Sequence, residues 1–369
     1  MKSRWTRRGF LFSLPTVAAW GAESNGKGRV LPSVVQRFPD PATEFIISRI
    51  TDPSHTSVLS AYYNRVISKH SNFMLYASDL SGRFEAYRMD LKSGQSRQLT
   101  DAANLAPASL ALTAGDHDFY YFDGPRLMNA HLSTLKTRQP YAIPEKFELG
   151  SGFSVAEDGM YAAVIEKNDT LYRLQLIQTA TGTATKLVEC DEELRDPIPR
   201  PKRASILYRR AGGLWLVNYD ARQNYRLRVT DDGEIGPALW SPDGHSVLYL
   251  NYPEDRRKLH SIREFTPDTN EDKLIATTSQ FVHFGCNADA SVFVGASGSK
   301  ASPYVLLLVR AVRRELTLAE HRATDPQMVA PIFAPNSQRI FFTSDQQGKP
   351  ALYTMSVDKF VEETDTANG

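Results

Sequence analysis

The sequence of 369 residues lacks several features that would place it in a specialised class. It has only two cysteines, Cys190 and Cys286, far apart in the chain, so no disulfide framework is expected and we predict two buried free thiols. No segment approaches the ~20 apolar residues of a membrane span. The 43 basic and 42 acidic residues are spread evenly, without a basic block for nucleic acid. These exclusions leave a soluble protein whose partner is a glycan, a small molecule or a protein.

The N-terminus has the pattern of an export signal. Arg7 and Arg8 precede the apolar stretch 10–19, and small residues then offer a cleavage site. This predicts a twin-arginine signal peptide over residues 1–22 and a bacterial periplasmic or secreted protein, with an ordinary Sec signal as the alternative. Residues 23–43 are predicted to be a flexible lead-in, 44–360 the folded domain, and 361–369 a C-terminal tail.

Internal repeats are the main signal in the remaining chain. Seven segments share a polar turn, a short aromatic or β-branched run, and two further strand-like runs, and no amphipathic helix competes with them. The segments open at Ser68, Thr113, Ala156, Pro201, Ser241, Asn287 and Ala334. This spacing predicts an all-β fold, a seven-bladed β-propeller with four-stranded blades. The seventh repeat lacks a fourth strand, so we expect the strand-like segment 44–51 to supply it and close the ring.

Several repeat segments resemble oligogalacturonate lyases. The likeness is clearest over 333–345 with Gly348 to Tyr353, and it continues at Trp240 to Gly244. The turn type Ser-Pro-Asp-Gly alone is shared with TolB and WD40-like repeats. The resemblance covers nearly all of the chain after its leader. It implies an enzyme of pectin catabolism that cleaves short oligogalacturonides by β-elimination.

The resemblance also implies a site with manganese, held by three histidines and a glutamine, and a further histidine and arginine for the chemistry. Removal of the C5 proton requires that the neighbouring carboxylate be neutralised by a metal or an arginine. Matched position by position, His283 is the one metal histidine that is present. Gln327 and Asp325 lie near the position of the glutamine. The other positions hold different residues, and these are Gly213, Pro237, Met328 and Ala330.

Other residues are candidates for sugar binding. Arg200 and Arg210, together with Arg209, could hold a uronate carboxylate bidentately, and a solvated basic strand is the competing interpretation. Tyr63, Asn64 and Arg65 follow Tyr62 before the first repeat, where a propeller channel is lined. Core packing of the tyrosines is the competing interpretation.

Two functions therefore remain open. In the first, the chain is an exported oligogalacturonate lyase relative with a remodelled site and a divalent metal, manganese by resemblance. In the second, it is a non-catalytic propeller that holds a uronate oligosaccharide or a protein in its central mouth. No other catalytic motif is present in the sequence.

Overall fold

A computed structural model describes residues 26–363, which fold almost entirely into β-strands. In chain order, the strands of the N-terminal half are β1 Val30–Leu31, β2 Gln36–Pro39, β3 Ile46–Arg49, β4 Ser57–Val58, β5 Phe73–Ser78, β6 Glu85–Asp90, β7 Ser96–Gln98, β8 Ala111–Leu112, β9 Asp118–Asp123, β10 Arg126–His131, β11 Thr137–Ala142, β12 Glu148–Val155, β13 Tyr161–Lys167, β14 Tyr172–Gln178 and β15 Ala184–Cys190. The remaining strands are β16 Leu194–Pro199, β17 Ser205–Arg210, β18 Gly213–Asn218, β19 Asn224–Arg226, β20 Glu234–Trp240, β21 Val247–Tyr252, β22 Ser261–Thr266, β23 Glu271–Thr277, β24 Phe281–Cys286, β25 Val292–Ser297, β26 Tyr304–Val309, β27 Arg314–Glu320, β28 Ile332–Phe333, β29 Arg339–Ser344 and β30 Ala351–Ser356. Two short 3-10 helices are Pro107–Ser109 and Pro326–Val329.

The described strands form an all-β propeller, but not the predicted seven separate four-stranded blades. Five sheets have four or five strands each, and a sixth is one continuous sheet of eight strands, in the order β15-β14-β13-β12-β16-β17-β18-β19. The prediction of seven four-stranded blades is therefore wrong. The repeats that open at Ala156 and Pro201 contribute to a single sheet.

The junction inside the eight-stranded sheet explains this difference. Strands β12 and β16 run parallel, and Ser151 pairs with Arg195 at their contact. Both strands carry a β-bulge beside this point. A bulge bends and twists its strand. The two bent strands meet edge to edge, a contact that the regular spacing of the repeats cannot reveal.

The N-terminal strands extend two sheets beyond four strands. In the last sheet, Ser48 of β3 pairs with Thr354 of β30, and β2 continues the sheet beyond β3. The predicted four-stranded blade completed by one N-terminal strand is thus corrected to a five-stranded sheet with an N-terminal hairpin. Strand β1 adds to β7 in the first sheet. Residues expected to form a flexible lead-in therefore contribute two strands.

The polar openings of the repeats form turns that are closed by their own side chains. The Ser68 hydroxyl accepts hydrogen bonds from the amides of Asn72 and Phe73. The Asn287 side chain likewise accepts from the Val292 amide, at 3.0 Å. Each bond satisfies a backbone donor just before a buried strand, which is why Ser and Asn recur at these positions.

The core consists of apolar clusters between successive sheets. Strand β5 is buried on both faces, and Tyr76, Tyr208 and Phe293 are among the largest fully buried side chains. Both cysteines are free, as predicted, although they are half-buried rather than buried. Over residues 26–363 no helix is long and apolar enough to cross a membrane. The predicted signal peptide lies outside the described residues.

Candidate active site

Four strands that each begin a unit of the propeller carry a β-bulge. The bulged strands are β12, β16, β20 and β24. The irregular stretches lie between Leu149 and Phe153, Arg195 and Ile198, Ile235 and Ala238, and Phe281 and His283. Bulges are common beside functional sites, because the extra residue re-aims a side chain. The bulges place the candidate site where these strands converge.

A pair of tyrosines occupies this convergence. The rings of Tyr62 and Tyr63 meet edge-on, with centroids 5.0 Å apart. The Tyr62 hydroxyl donates to the Ala238 carbonyl at 2.9 Å and accepts from the Ala238 amide at 3.3 Å. Burial raises the pKa of both tyrosines, so the hydroxyls stay protonated. The loop after β4 thus crosses to the bulge of β20 and is fixed there.

His283 lies against this pair at the bulge of β24. Its imidazole meets the Tyr62 ring edge-on, with centroids 4.7 Å apart. The side chain is buried, and its Nδ1 is the one histidine nitrogen among buried side-chain atoms of residues 26–363 that has no hydrogen-bond partner. Burial lowers the pKa of His283 to about 4. The imidazole is therefore neutral at physiological pH, the form that binds a metal or accepts a proton.

Gln327 approaches the same region from the 3-10 helix Pro326–Val329. Its side chain lies close enough to the Tyr252 hydroxyl to lower the pKa of that group, and the hydroxyl donates to the Val282 carbonyl at 2.9 Å, next to His283. Burial raises the pKa of Tyr252 to about 12. Asp325 instead caps the helix, because its Oδ1 accepts from the Gln327 amide at 2.9 Å. The structure thus brings His283 and Gln327 together and uses Asp325 for a local turn.

These residues do not make up the metal site that the family resemblance implies. Within residues 26–363 there is no group of three or more histidine, cysteine, aspartate or glutamate side chains able to hold a metal ion. The unpartnered Nδ1 of His283 and the nearby Gln327 amide supply two of the four implied ligands. Met328 and Ala330, which follow them, offer no oxygen or nitrogen donor in their side chains, and a thioether is too soft for manganese.

Arg209 is a basic group of the site. It lies on β17, and its Nη2 donates to the Ile235 carbonyl at the bulge of β20, at 2.6 Å. Its Nη1 lies 3.7 Å from the Asp196 carboxylate, beyond hydrogen-bond distance. A guanidinium has five N–H donors in a planar fork, so donors remain for a further carboxylate.

Asp196 lies in the bulge of β16 with a positive φ of 49°. Desolvation raises the pKa of its carboxyl group, although Arg209 and Arg195 oppose the shift. Its side chain is about one-fifth exposed, at 21%. The Asp196–Arg209 pair therefore combines a carboxylate of raised basicity with an incompletely used guanidinium beside the two tyrosines.

The two arginines that the sequence favoured have other partners. Arg200 is buried, its Nε donates to the Gly244 carbonyl at 2.7 Å, and its guanidinium stacks over the Trp240 ring. Arg210 alternates with Arg209 on β17 and forms an ion pair with Glu192. The structure therefore places the free guanidinium donors on Arg209.

The residues after Tyr62 divide between the site and the scaffold. Tyr63 lines the site. The Asn64 amide donates to the Phe153 carbonyl at 3.0 Å, and it is buried. Arg65 donates to Asp116 at 2.6 Å. Asn64 thus anchors the tyrosine loop to β12, and Arg65 anchors it to the turn before β9.

Two cavities flank the cluster. An apolar cavity of about 240 Å³ is lined by small and apolar residues of segments 61–63, 106–109 and 149–153, with Asp196 in its wall. A polar cavity of about 560 Å³ adjoins Tyr252 and is lined by charged residues that include Glu234, Arg256 and Lys258. The cluster therefore contacts the apolar cavity through Tyr63 and Asp196 and the polar cavity through Tyr252.

Comparisons with known proteins agree with this fold. The family model described as "Oligogalacturonate lyase" matches residues 25–169. The oligogalacturonide lyase of Pectobacterium atrosepticum is 25% identical over 90% of this chain and 98% of its own. The oligogalacturonate lyase of Dickeya dadantii is 24% identical with the same coverage. The chain is an oligogalacturonate lyase-like β-propeller.

Solved structures show the same fold as this oligogalacturonate lyase-like propeller. An oligogalacturonate lyase in complex with manganese superimposes with a TM-score of 0.85, at 23% identity over 90% of this chain and 98% of that one. The oligogalacturonate lyase of Vibrio parahaemolyticus gives a TM-score of 0.84 at 22% identity, over 90% of this chain and 99% of that one.

The sequence did not point to every residue of the site. Asp196 and Tyr252 carry no motif, since each becomes a site residue through a bulge or a strand end. The dipeptide Asp196-Pro197 was the available signal, because a proline disrupts strand pairing and marks a bulge. The same reasoning applies to Gly236-Pro237 on β20.

Proposed function

We propose that this propeller binds short galacturonate oligomers at the Arg209 cluster and does not run the manganese-dependent elimination of its relatives. The relatives are named as oligogalacturonate lyases, so a uronate oligosaccharide is the ligand class that they suggest. The proposal extends that class to this chain and separates binding from catalysis.

The observation that carries the proposal is the geometry of Arg209. Its guanidinium donates one short hydrogen bond to the Ile235 carbonyl and forms a longer ion pair with Asp196, at 3.7 Å, so N–H donors remain for a further carboxylate. A uronate carboxylate matches the planar fork of an arginine. The half-buried tyrosine pair beside it offers ring surface and a fixed wall for a sugar.

The elimination needs more than this recognition. A base must remove the C5 proton while the carboxylate charge is neutralised. Arg209 can neutralise the carboxylate. The nearby base candidates are His283, which is enclosed by Tyr62, and Asp196, which already faces Arg209. The position that the resemblance assigns to the base histidine holds Pro237, which has no proton-accepting side chain.

Product formation tests this proposal. Digalacturonate and trigalacturonate are incubated with the protein, with manganese or with a chelator, and unsaturated product is followed by ultraviolet absorbance. We expect no unsaturated product in either condition. We also expect saturable binding of both oligomers when it is measured by calorimetric titration. Manganese-dependent product formation would contradict the non-catalytic part, and absence of binding would contradict the whole proposal. Periplasmic location through twin-arginine export remains a prediction from the leader.

A further inference from the structure

The apolar cavity adjoins the Arg209 cluster through Tyr63 and Asp196. Its remaining wall is built from small residues, among them Ala61, Ala106 and Ala108. Its volume of about 240 Å³ lies just below the range of about 300–1,000 Å³ of sites for drug-sized ligands. A single sugar unit is smaller than a drug-sized ligand, so the cavity has room for one sugar unit beyond the cluster.

The wall around Asp196 is fixed by a close backbone approach. Gly152 has a φ of 155°, and a Cβ at this position would lie 2.2 Å from the Pro197 ring and 3.1 Å from the Tyr63 hydroxyl. Only glycine allows β12 to come this near to the bulge of β16. The cavity keeps its shape because three segments are locked together at this point.

The polar groups of the cavity determine which sugar fits. The Ser109 hydroxyl donates to the Ala106 carbonyl at 2.7 Å and accepts from the Phe122 amide at 2.8 Å. The Ser151 hydroxyl donates to Glu193 at 3.1 Å. Both hydroxyls are thus already engaged. The Asp196 carboxylate is the one charged group among the described lining residues, and none of them is basic.

This wall rejects a second carboxylate. A uronate in the cavity would bring a second negative charge next to Asp196. The nearby cations Arg209 and Arg195 already offset the Asp196 carboxylate, and no lining residue of the cavity is basic, so the added charge is unfavourable. A neutral sugar has no such cost. Its hydroxyls can donate to Asp196, and a less polar face, as in a 6-deoxyhexose, suits the alanines and Phe153.

We infer that the apolar cavity is a subsite for a neutral sugar unit, so that the preferred ligand is a mixed oligomer of a uronate and a neutral, low-polarity sugar. The inference rests on the proposed function, because the uronate must occupy the Arg209 cluster.

Calorimetric titration of the whole protein with two disaccharides tests this inference. The probes are digalacturonate and galacturonate linked to rhamnose, a 6-deoxyhexose. We expect the mixed disaccharide to bind about tenfold more tightly, a difference of about 1.4 kcal/mol. Equal affinity, or tighter binding of digalacturonate, overturns the neutral-sugar subsite and leaves uronate binding intact. If neither disaccharide binds, the proposed function fails and the subsite with it.

The effect of the Asp196 charge is tested separately from the shape of the cavity. Asp196→Asn removes the repulsion, so digalacturonate should gain affinity and the tenfold preference should shrink. Asp169→Asn changes an exposed acid without a hydrogen-bond partner among the described residues, and it should keep the preference.

Ala108→Leu fills the cavity from an exposed position, so the mixed disaccharide should lose about tenfold in affinity. Ala301→Leu, in an exposed loop, is the matched control. An unchanged preference in both Asp196→Asn and Ala108→Leu, with normal thermal unfolding, contradicts the inference.

Discussion

The rings of Tyr62 and His283 meet edge-on at 4.7 Å, although the two residues lie more than two hundred positions apart in the chain. The Tyr62 hydroxyl is fixed to both backbone groups of Ala238. The loop after β4 thus links the bulges of β20 and β24. This relationship makes the tyrosine loop a structural part of the site as well as its wall.

Tyr62→Phe removes the hydroxyl and leaves the Ala238 carbonyl and amide without their partner. We expect a loss of about 1–2 kcal/mol in the free energy of unfolding. Denaturant titration measures it. Tyr225→Phe is the control, because the Tyr225 ring is 42% exposed and should change stability little. Equal stability of wild type and Tyr62→Phe contradicts the anchoring role.

His283 makes stability depend on pH. Its pKa is lowered to about 4 by burial, so in acid the unfolded state takes up a proton before the folded state does. Its contribution is therefore fully present above about pH 6.5 and is lost as the pH falls toward 4. Over this range the loss amounts to about 3 kcal/mol. Unfolding of wild type and His283→Gln between pH 7 and about 4 checks this, since the variant should lack this share. Parallel pH profiles would contradict it.

Asp196 makes stability depend on pH in the opposite direction. Its pKa is raised, mainly by desolvation, so ionisation destabilises the folded state, and its contribution declines as the pH rises through the folded-state pKa. Asp196→Asn should therefore raise the melting temperature at neutral pH and change it less in acid. Asparagine also tolerates the positive φ at this position. Scanning calorimetry at two pH values measures the effect. A lower melting temperature at neutral pH would show that the pair with Arg209 outweighs desolvation.

Gly152→Ala tests the close approach beside the apolar cavity. The new Cβ would overlap Pro197, and the backbone conformation is unfavourable for alanine, so we expect a loss of at least about 2 kcal/mol. Gly212→Ala provides the control, because Gly212 also has a positive φ but nothing lies within 4 Å of the new Cβ. It should lose about 1 kcal/mol. Equal losses would mean that the approach to Pro197 is not tight.

Much of the fold could be predicted from the sequence, because each strand is a short buried run bounded by a polar turn. Phe119–Phe122 and Val247–Leu250 show this in strands β9 and β21. The number of separate sheets could not be predicted. The parallel contact of Ser151 with Arg195 depends on two bulges, and bulges have no periodic signal.

The site was predictable only where residue type and position coincide with the family pattern. His283 and Gln327 were predicted in this way, and the structure brings them to the same region. Arg209 and Arg210 are the same residue type and adjacent in the chain, so the sequence does not distinguish their roles. Strand alternation separates their faces, and only the partner Glu192 shows which guanidinium is already used.

Digalacturonate binding by wild type and Arg209→Gln is the most direct test of the account, with calorimetric titration carried out in the presence of a chelator. Arg222→Gln, which changes an exposed arginine paired only with Asp220 among the described residues, is the matched control. We predict that wild type and the control bind alike without metal, and that Arg209→Gln binds at least about tenfold more weakly. Binding that appears only after manganese is added, or that is equal in Arg209→Gln, would contradict recognition through Arg209.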